Sequence, residues 1–208
     1  MNVDVDGQIS AVSRELGDRV HEAGELLEMR ISQVYPTTAE DLWEAVTDAG
    51  RIRRWFLPVS GELKVGGKYQ LEGNASGTVE SCDPPRAFTA TWEFGGGVSW
   101  IEVGVAPEGD GARFTLVHLA RVEEQMWETY GPGAVGVGWD GAFMGLGRYL
   151  ASGEPNDAAE AEAWAGTEQG KLFTRLSSDA WCAASVAYGT DPEKARAAAE
   201  QTRRFYTP

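Results

Sequence analysis

Residues 59–120 form five short runs in which apolar and polar side chains alternate, and this pattern constrains the fold more than any other feature. In "AFTATWEF", Phe88, Ala90 and Trp92 lie on one side of an extended chain. The glycine-containing stretches "GNASG", "GGG" and "PEGDG" separate the runs and are typical of turns. Consecutive strands joined by short turns predict an antiparallel meander, and each strand has one apolar face to cover.

A glycine-rich segment at 136–150, "GVGWDGAFMGLGRYL", also carries large apolar residues at helical spacing, Trp139, Phe143, Leu146 and Leu150. Glycine costs about 1 kcal/mol against alanine inside a helix. Gly138, Gly141 and Gly145 fall on a narrow stripe beside the apolar one. We therefore predict one helix over 136–152 with its large face on the sheet. Its small face should contact a tail helix from residues 167–206, although a ligand in that gap is left open.

The same segment contains "GVGWDG", which matches the G-x-G-x-x-G pattern of dinucleotide-binding proteins. That site needs a strand before the glycines and an acidic residue at a second strand about twenty residues later. Here "GPGA" precedes the motif, and the helical stretch "NDAAEAEA" follows it at that distance. The glycines are therefore better explained by packing than by a nucleotide.

Both ends of the chain carry helix and turn signals. In residues 1–26, Gly17-Asp18 favours a turn between two strands, with a short helix as the alternative. A strand is expected over 27–35, and Thr38 then caps a helix that stops at Gly50. The alanine-rich tail predicts an αα-hairpin, with Gly189 ending one helix and Asp191-Pro192 beginning the next.

The composition excludes several classes of partner. The net charge is −14 and the pI about 4.5, so the surface repels nucleic acid. No apolar run approaches the roughly 18 residues of a membrane span, and the N-terminus lacks a signal-peptide pattern. The two cysteines, Cys82 and Cys182, and the two histidines, His21 and His118, form no metal-binding cluster in the sequence. We expect a cytoplasmic protein without cofactor, metal, membrane or nucleic-acid partner.

Several segments occur in an order that resembles the SRPBCC superfamily. They are "LWEAVTDAGRIRRWF", "VGGKYQ", "GTVESCDPPR", "TWEF", "ARFTLVHLA" and "GVGWDGAFMGLGRYL". Within that superfamily the chain is similar to bacterial proteins that resemble the C-terminal domain of the activator of the 90-kDa heat-shock protein ATPase. The resemblance covers about residues 27–152.

The resemblance implies an α+β helix-grip fold, in which a curved antiparallel sheet surrounds a long C-terminal helix, as in START-like and birch-pollen-allergen-like proteins. Together with the sequence patterns at both ends, it predicts three regions: an N-terminal segment at 1–26, where extra strands are favoured, the helix-grip domain at 27–152 and a helical extension at 153–208. The extension is expected to pack on the domain, where it covers a cavity mouth or forms a homodimer contact. The family has no fixed catalytic set, so the resemblance identifies no catalytic residue.

The common feature of the superfamily is an apolar cavity between sheet and helix, so the first functional hypothesis is the binding of an apolar small molecule. The predicted wall is Tyr69, Leu71, Val79, Phe88, Trp92, Ile101, Val103, Phe114, Leu116, His118, Trp139 and Phe143. A buried histidine that is merely hydrogen-bonded to its surroundings is the simpler interpretation of His118.

Two other functional hypotheses stay open. A cyclase- or hydrolase-like enzyme would use His118 with Glu102 or Asp140 as its orienting acid. Strand alternation places Glu102 on the face opposite Ile101, which counts against that acid. A co-chaperone acting on a chaperone ATPase is the weakest hypothesis, and binding without catalysis is favoured over both.

Overall fold

The structure, a computed structural model, describes residues 3–207 and has an α+β fold. Its strands are β1 (Val12–His21), β2 (Gly24–Tyr35), β3 (Val59–Gly61), β4 (Lys68–Leu71), β5 (Ser76–Asp83), β6 (Ala87–Phe94), β7 (Gly97–Glu108) and β8 (Gly111–Ala120). Its helices are α1 (Val5–Ala11), α2 (Ala39–Thr47), α3 (Ala49–Trp55), α4 (Glu124–Tyr130), α5 (Gly133–Ser152), α6 (Ala158–Ala165), α7 (Glu168–Tyr188) and α8 (Pro192–Tyr206).

All eight strands form one curved antiparallel sheet in the order β1-β2-β8-β7-β6-β5-β4-β3. From β3 to β8 each strand pairs with its sequence neighbour, so the predicted meander is confirmed. The long helix and the helical extension are also present, and α5 begins three residues before the predicted start. Within residues 3–207, no helix is both long and apolar enough to cross a membrane.

The described chain divides into two compact units. The first contains residues 3–31, 121–144 and 157–207, and the second contains residues 32–120 and 145–156. Two elements contribute to both units, because β2 is divided after Ile31 and α5 after Met144. The three-region division made from the sequence stays a prediction.

The helix ends follow the capping residues of the sequence. Thr38 accepts a hydrogen bond from the backbone of Asp41, as predicted for the start of α2. The predicted stop at Gly50 is wrong, because Asp48 ends α2 and its side chain caps α3 by accepting from the backbone of Arg51. In the tail, Gly189 adopts a φ of 115° after α7, and Asp191 caps α8 ahead of Pro192.

The N-terminal prediction needs a correction. Gly17-Asp18 does not form a turn, because β1 runs through both residues and the chain reverses at Glu22-Ala23. The helix that was the alternative is present as well, as α1, ahead of this strand. Alternation in β1 is weak, since charged residues occupy many of its positions, and a glycine-aspartate pair inside a strand therefore imitates a turn signal.

In the first unit, α7 packs against β1, α1 and α8, while α4 packs against α8. The glycines of α5 contact the helical tail, but mostly at positions other than the predicted ones. A Cβ at Gly136 would overlap the Trp181 ring of α7, and one at Gly133 would lie 2.9 Å from Thr202 Cγ2 of α8. These two glycines let the tail helices approach the first turns of α5.

The predicted stripe of Gly138, Gly141 and Gly145 is only partly correct. A Cβ at Gly138 would lie 3.5 Å from Tyr206 Oη, whereas a Cβ at Gly141 would meet nothing within 4 Å. Gly145, in the second unit, faces α3 instead of the tail, because a Cβ there would lie 2.7 Å from the carbonyl oxygen of Trp55. The expectation of tight packing at Gly141 is therefore wrong.

Candidate functional site

The candidate site begins with one face of β7 and β8 in the second unit. Across these antiparallel strands, Ile101 pairs with His118 and Val103 pairs with Leu116. Directly opposed residues place their side chains on the same face of a sheet. His118 therefore shares a face with neighbouring buried apolar side chains, and it is itself only 7% exposed.

The same face continues across β6 to β4. Phe88 pairs with Val103, Trp92 pairs with Ser99, and Tyr69 pairs with Gly77 two residues before Val79. All the wall residues that were predicted on strands share this face, namely Tyr69, Leu71, Val79, Phe88, Trp92, Ile101, Val103, Phe114, Leu116 and His118. We call this set the apolar face. Whether its members contact a ligand stays a prediction.

Gly77 sets the position of the tyrosine on the apolar face. A Cβ at Gly77 would lie 2.8 Å from Cε1 of Tyr69 and would overlap the carbonyl of Thr91. With glycine there, the ring lies over β5 and its hydroxyl donates to the carbonyl of Thr91 at 2.6 Å. Burial and the nearby Glu93 raise the pKa of Tyr69, so the phenol is neutral at physiological pH.

His118 and Ser99 form the polar contact on the apolar face. Ser99 Oγ donates to the carbonyl of Trp92 at 3.0 Å. His118 Nε2 lies 2.8 Å from Ser99 Oγ. The Ser99 hydroxyl proton is donated to the Trp92 carbonyl, so Ser99 Oγ can only accept from His118. We therefore assign a proton to His118 Nε2, which donates to Ser99 Oγ. The Trp92 and His118 rings also meet edge to face, with centroids 6.2 Å apart.

Burial lowers the pKa of His118 from 6.5 to about 4. The imidazole is therefore neutral at physiological pH, where it can donate and accept hydrogen bonds without carrying charge. General acid–base catalysis works best when the pKa lies near the operating pH. A pKa this low makes His118 better suited to a neutral polar contact than to proton transfer near pH 7.

Neither acid considered as a catalytic partner is positioned to orient His118. Glu102 pairs with Val117 and Thr89, so it lies on the opposite face of the sheet. In the first unit, the buried Asp140 accepts hydrogen bonds from Arg14 at 2.8 Å, Ser177 at 2.5 Å and Trp181 at 3.1 Å. The sequence could not reveal these partners, because Arg14 is 126 residues away.

The apolar face is half open at two positions along β6. Phe88 and Trp92 are only half-buried. Phe88 lies opposite the buried Val103, whereas Trp92 lies opposite Ser99, which is half-buried as well. Helix α2 packs against β7 and β8, and its half-buried Trp43 meets Phe88 edge to face with centroids 6.3 Å apart. We call Trp43, Phe88 and Trp92 the aromatic rim: Phe88 and Trp92 flank the buried Ala90 on β6, and Trp92 contacts the buried His118.

Two contributors to this arrangement were not among the predicted site residues. Ser99 lies two positions before Ile101, so alternation could have assigned it to the same face as His118. Trp43 lies beside the apolar positions of α2, but no sequence signal connects it to Phe88, which is 45 residues away. The two predicted wall residues on α5, Trp139 and Phe143, are both buried and belong to the first unit.

Helix α3 and the last turns of α5 are held together within the second unit. Arg51 Nε donates to Tyr149 Oη at 2.9 Å, and the Arg54 guanidinium lies 5.1 Å from the centre of the Tyr149 ring. Asn156 Nδ2 donates to the carbonyl of Gly145 at 2.8 Å. The close approach of the Trp55 carbonyl at Gly145 explains why a side chain is disfavoured there.

A surface groove of about 320 Å³ lies in the first unit. It is lined by Glu160, Ala163, Trp164, Thr167 and Gln169, none of which belongs to the apolar face. Among residues 3–207, no group of three or more histidine, cysteine, aspartate or glutamate side chains is arranged to hold a metal ion.

Comparison with known families identifies one match. Residues 36–151 match the model of the family described as Activator of Hsp90 ATPase homolog 1-like protein, abbreviated AHSA1. The match covers more than half of the chain and includes α2, α3, the whole apolar face and nearly all of α5. The search of curated proteins finds no match.

Solved structures extend the comparison. CalU16 from Micromonospora echinospora is 32% identical in its crystal structure, with a TM-score of 0.68, and the match covers 86% of this chain and 99% of CalU16. DynU16, described as a protein of the dynemicin biosynthetic locus, is 20% identical with a TM-score of 0.57; the match covers 62% of this chain and 48% of DynU16. MLL2253 from Mesorhizobium loti is 17% identical, with a TM-score of 0.54 and coverage of 60% and 96%. The last two share the fold.

Proposed function

Because this chain belongs to the AHSA1-like family, we propose that its apolar face binds an apolar small molecule, with the His118–Ser99 pair as the polar contact. Ligand pockets typically combine many apolar groups with a few polar ones that fix orientation. The apolar face has this composition, since aromatic and aliphatic side chains surround one neutral imidazole. DynU16, which shares the fold, comes from a biosynthetic locus, which is compatible with a small organic ligand.

The observation that carries the proposal is the half-buried aromatic rim, in which Trp92 contacts a buried neutral histidine. A purely structural sheet face would be expected to bury its large aromatic side chains, yet Phe88 and Trp92 stay half-buried on either side of the buried Ala90. An apolar ligand in contact with both rings would remove that surface from water, at about 25 cal/mol per Å². His118 and Ser99 would then meet a polar group of the ligand.

Binding is preferred over acid–base catalysis for two reasons. The lowered pKa of His118 does not suit proton transfer near neutrality, and Glu102 and Asp140 are directed elsewhere. A ligand contact needs neither an ionisable imidazole nor an orienting acid. The His118 hydrogen bond to Ser99 therefore supports recognition of a polar substituent.

The test is a fluorescence titration with N-phenyl-1-naphthylamine, a neutral apolar probe. Wild-type protein should bind it saturably. Phe88→Ala and Trp92→Ala should each weaken binding about tenfold, because each removes an aromatic contact worth roughly 1.5 kcal/mol. Trp100→Ala is the matched control, since it removes a half-buried tryptophan from the opposite face of the sheet.

The control should change the dissociation constant less than about twofold, which corresponds to less than roughly 0.5 kcal/mol. Thermal melts of all variants would confirm that each one is folded at the assay temperature. Equal affinities for wild type, Phe88→Ala and Trp92→Ala would place the probe elsewhere and contradict the proposed site.

A further inference from the structure

A second surface of interest lies in the first unit, where the β1–β2 turn, α4 and the end of α7 meet. The Arg121 guanidinium, just before α4, donates to the carbonyl of Ala23 in the turn at 2.5 Å. Tyr188 Oη at the end of α7 donates to Asp18 of β1 at 2.5 Å, and its ring meets Trp127 of α4 with centroids 6.5 Å apart. These contacts make the three elements one continuous surface.

This surface exposes large apolar side chains. Val20 is 85% exposed, Val122 is 50% exposed and Met126 is 43% exposed. Tyr188 and Trp127, whose rings meet, belong to the same group of elements. Single exposed apolar residues are ordinary, but a contiguous group is typical of an interaction site. We call the set of Val20, Val122, Met126, Trp127 and Tyr188 the valine–methionine patch.

Acidic side chains surround the valine–methionine patch. They are Glu22, Glu25, Glu123, Glu124 and Glu128, and all five are exposed. Within residues 3–207 none of these carboxylates is paired with a cation, because Arg121 is bonded to Ala23 and Arg19 is paired with Glu28. Arg121 keeps its positive charge when it donates to a neutral carbonyl, so five carboxylates stand against one guanidinium and the patch sits in a region of net negative charge.

The negative charge around the patch disfavours some classes of partner and favours others. Nucleic acids and anionic lipid surfaces carry the same sign and are repelled. A second copy of this chain would bring its own five carboxylates against these, which opposes self-association through the patch. A cationic partner with apolar side chains satisfies both the exposed apolar surface and the unpaired carboxylates.

We propose that the valine–methionine patch docks a basic amphipathic segment of another protein. Apolar side chains of that segment would cover Val20, Val122 and Met126, and its lysine or arginine side chains would face the surrounding carboxylates. Amphipathic helices commonly bind in this way, with anchors on one face and complementary charges at the rim. This interaction is independent of the proposed small-molecule site.

The probe for this proposal is a synthetic amphipathic peptide of leucine and lysine, about 14 residues or four helical turns long. Methyl NMR of the ¹³C-methionine-labelled full chain reports where it binds. The Met126 signal should shift saturably, whereas Met29, which is buried in β2, and Met144, which packs in the core of the first unit, should not. A matched leucine–glutamate peptide should leave all three signals unchanged.

Two variants separate the apolar and electrostatic contributions. V122S/M126S removes apolar surface without changing charge, and E123Q/E124Q removes two charges without changing size; each should weaken peptide binding about tenfold. F94S/V98S removes an equally exposed apolar pair from the β6–β7 turn and should retain wild-type affinity within about twofold. Circular dichroism melts would verify that all variants fold.

Three results would overturn the proposal. The first is unchanged peptide affinity in V122S/M126S. The second is equal weakening in F94S/V98S, which would indicate general attraction to an acidic protein. The third is concentration-dependent self-association in sedimentation experiments that V122S/M126S abolishes, which would assign the patch to a second copy. None of these outcomes bears on binding of N-phenyl-1-naphthylamine at the apolar face.

Discussion

At the scale of single residues, the environment of His118 determines its chemistry. Strand alternation was enough to predict that the side chain faces the same way as Phe114 and Leu116, because that property is local to β8. The bond to Ser99 and the loss of positive charge depend on β7 and on burial, which no sequence pattern around His118 contains. The site's polarity could be anticipated from the sequence, but its protonation could not.

The lowered pKa makes His118 a source of acid sensitivity. The unfolded chain takes up a proton near pH 6.5, while the folded chain resists protonation until about pH 4, so stability falls as the pH decreases through this window. We expect His118→Gln to lose less stability between pH 7 and pH 4.5 than wild type, by about 2 to 3 kcal/mol. Urea unfolding at several pH values measures this difference, and parallel curves would contradict it.

Two glycines of α5 test whether the helical tail packs closely against this helix. Gly136→Ala should destabilise the protein by about 1–3 kcal/mol, because the new methyl group overlaps the Trp181 ring. Gly141→Ala should stabilise it by up to about 1 kcal/mol, since no atom lies within 4 Å of the added Cβ and alanine favours the helix. Denaturation midpoints of the two variants measure these effects. Stabilisation by both substitutions would show that α7 does not pack closely against Gly136.

The glycine stripe also shows where sequence reasoning reaches its limit. Helical geometry identified a small face on α5, but several small residues near the start of the helix could have met the tail. The choice of Gly133 and Gly136 depends on the positions of Trp181 and Thr202, far away in the chain. Periodicity predicts which face of a helix is small, whereas the contact point is a tertiary property.

At the scale of elements, the buried Asp140 connects a strand and two helices of the first unit. Its carboxylate on α5 receives Arg14 from β1 and Ser177 and Trp181 from α7. Both charged side chains are almost fully buried, so removing one leaves the other uncompensated. The network therefore holds α7 of the helical extension against α5 and β1.

Replacing the Asp140 carboxylate with an amide tests how much this network stabilises the protein. Asp140→Asn should destabilise the protein by about 3–5 kcal/mol, because the Arg14 guanidinium keeps its charge inside the protein. Asp110→Asn, at the exposed β7–β8 turn, is the control and should stay within about 0.5 kcal/mol of wild type. Equal unfolding free energies for Asp140→Asn and its control would show that the ion pair contributes no net stability.

At the scale of the whole molecule, the element order was predictable because it rests on local signals. Alternation marked β6 to β8, glycine turns separated them, and capping residues marked α2 and α8. The N-terminal region failed because β1 is charged and carries a misleading turn signal at Gly17-Asp18. The division into two compact units, with β2 and α5 contributing to both, has no counterpart in composition or spacing.

A ligand on the apolar face should also raise the stability of the folded chain. At a free probe concentration of about 100 times the dissociation constant, N-phenyl-1-naphthylamine should add about 2.7 kcal/mol to the unfolding free energy. Trp92→Ala should show less stabilisation at the same probe concentration, since its affinity is lower. A probe-induced increase that is the same in both proteins would mean that binding occurs away from the aromatic rim.

The most direct test of ligand binding at the apolar face is ¹⁵N NMR of the histidine rings during titration with N-phenyl-1-naphthylamine. The chain has two histidines, and His21 at the end of β1 serves as the internal control. The account predicts that the ring-nitrogen signals of His118 shift saturably, with the dissociation constant found by fluorescence, while those of His21 stay in place. A saturated probe that leaves the His118 signals unmoved would contradict it.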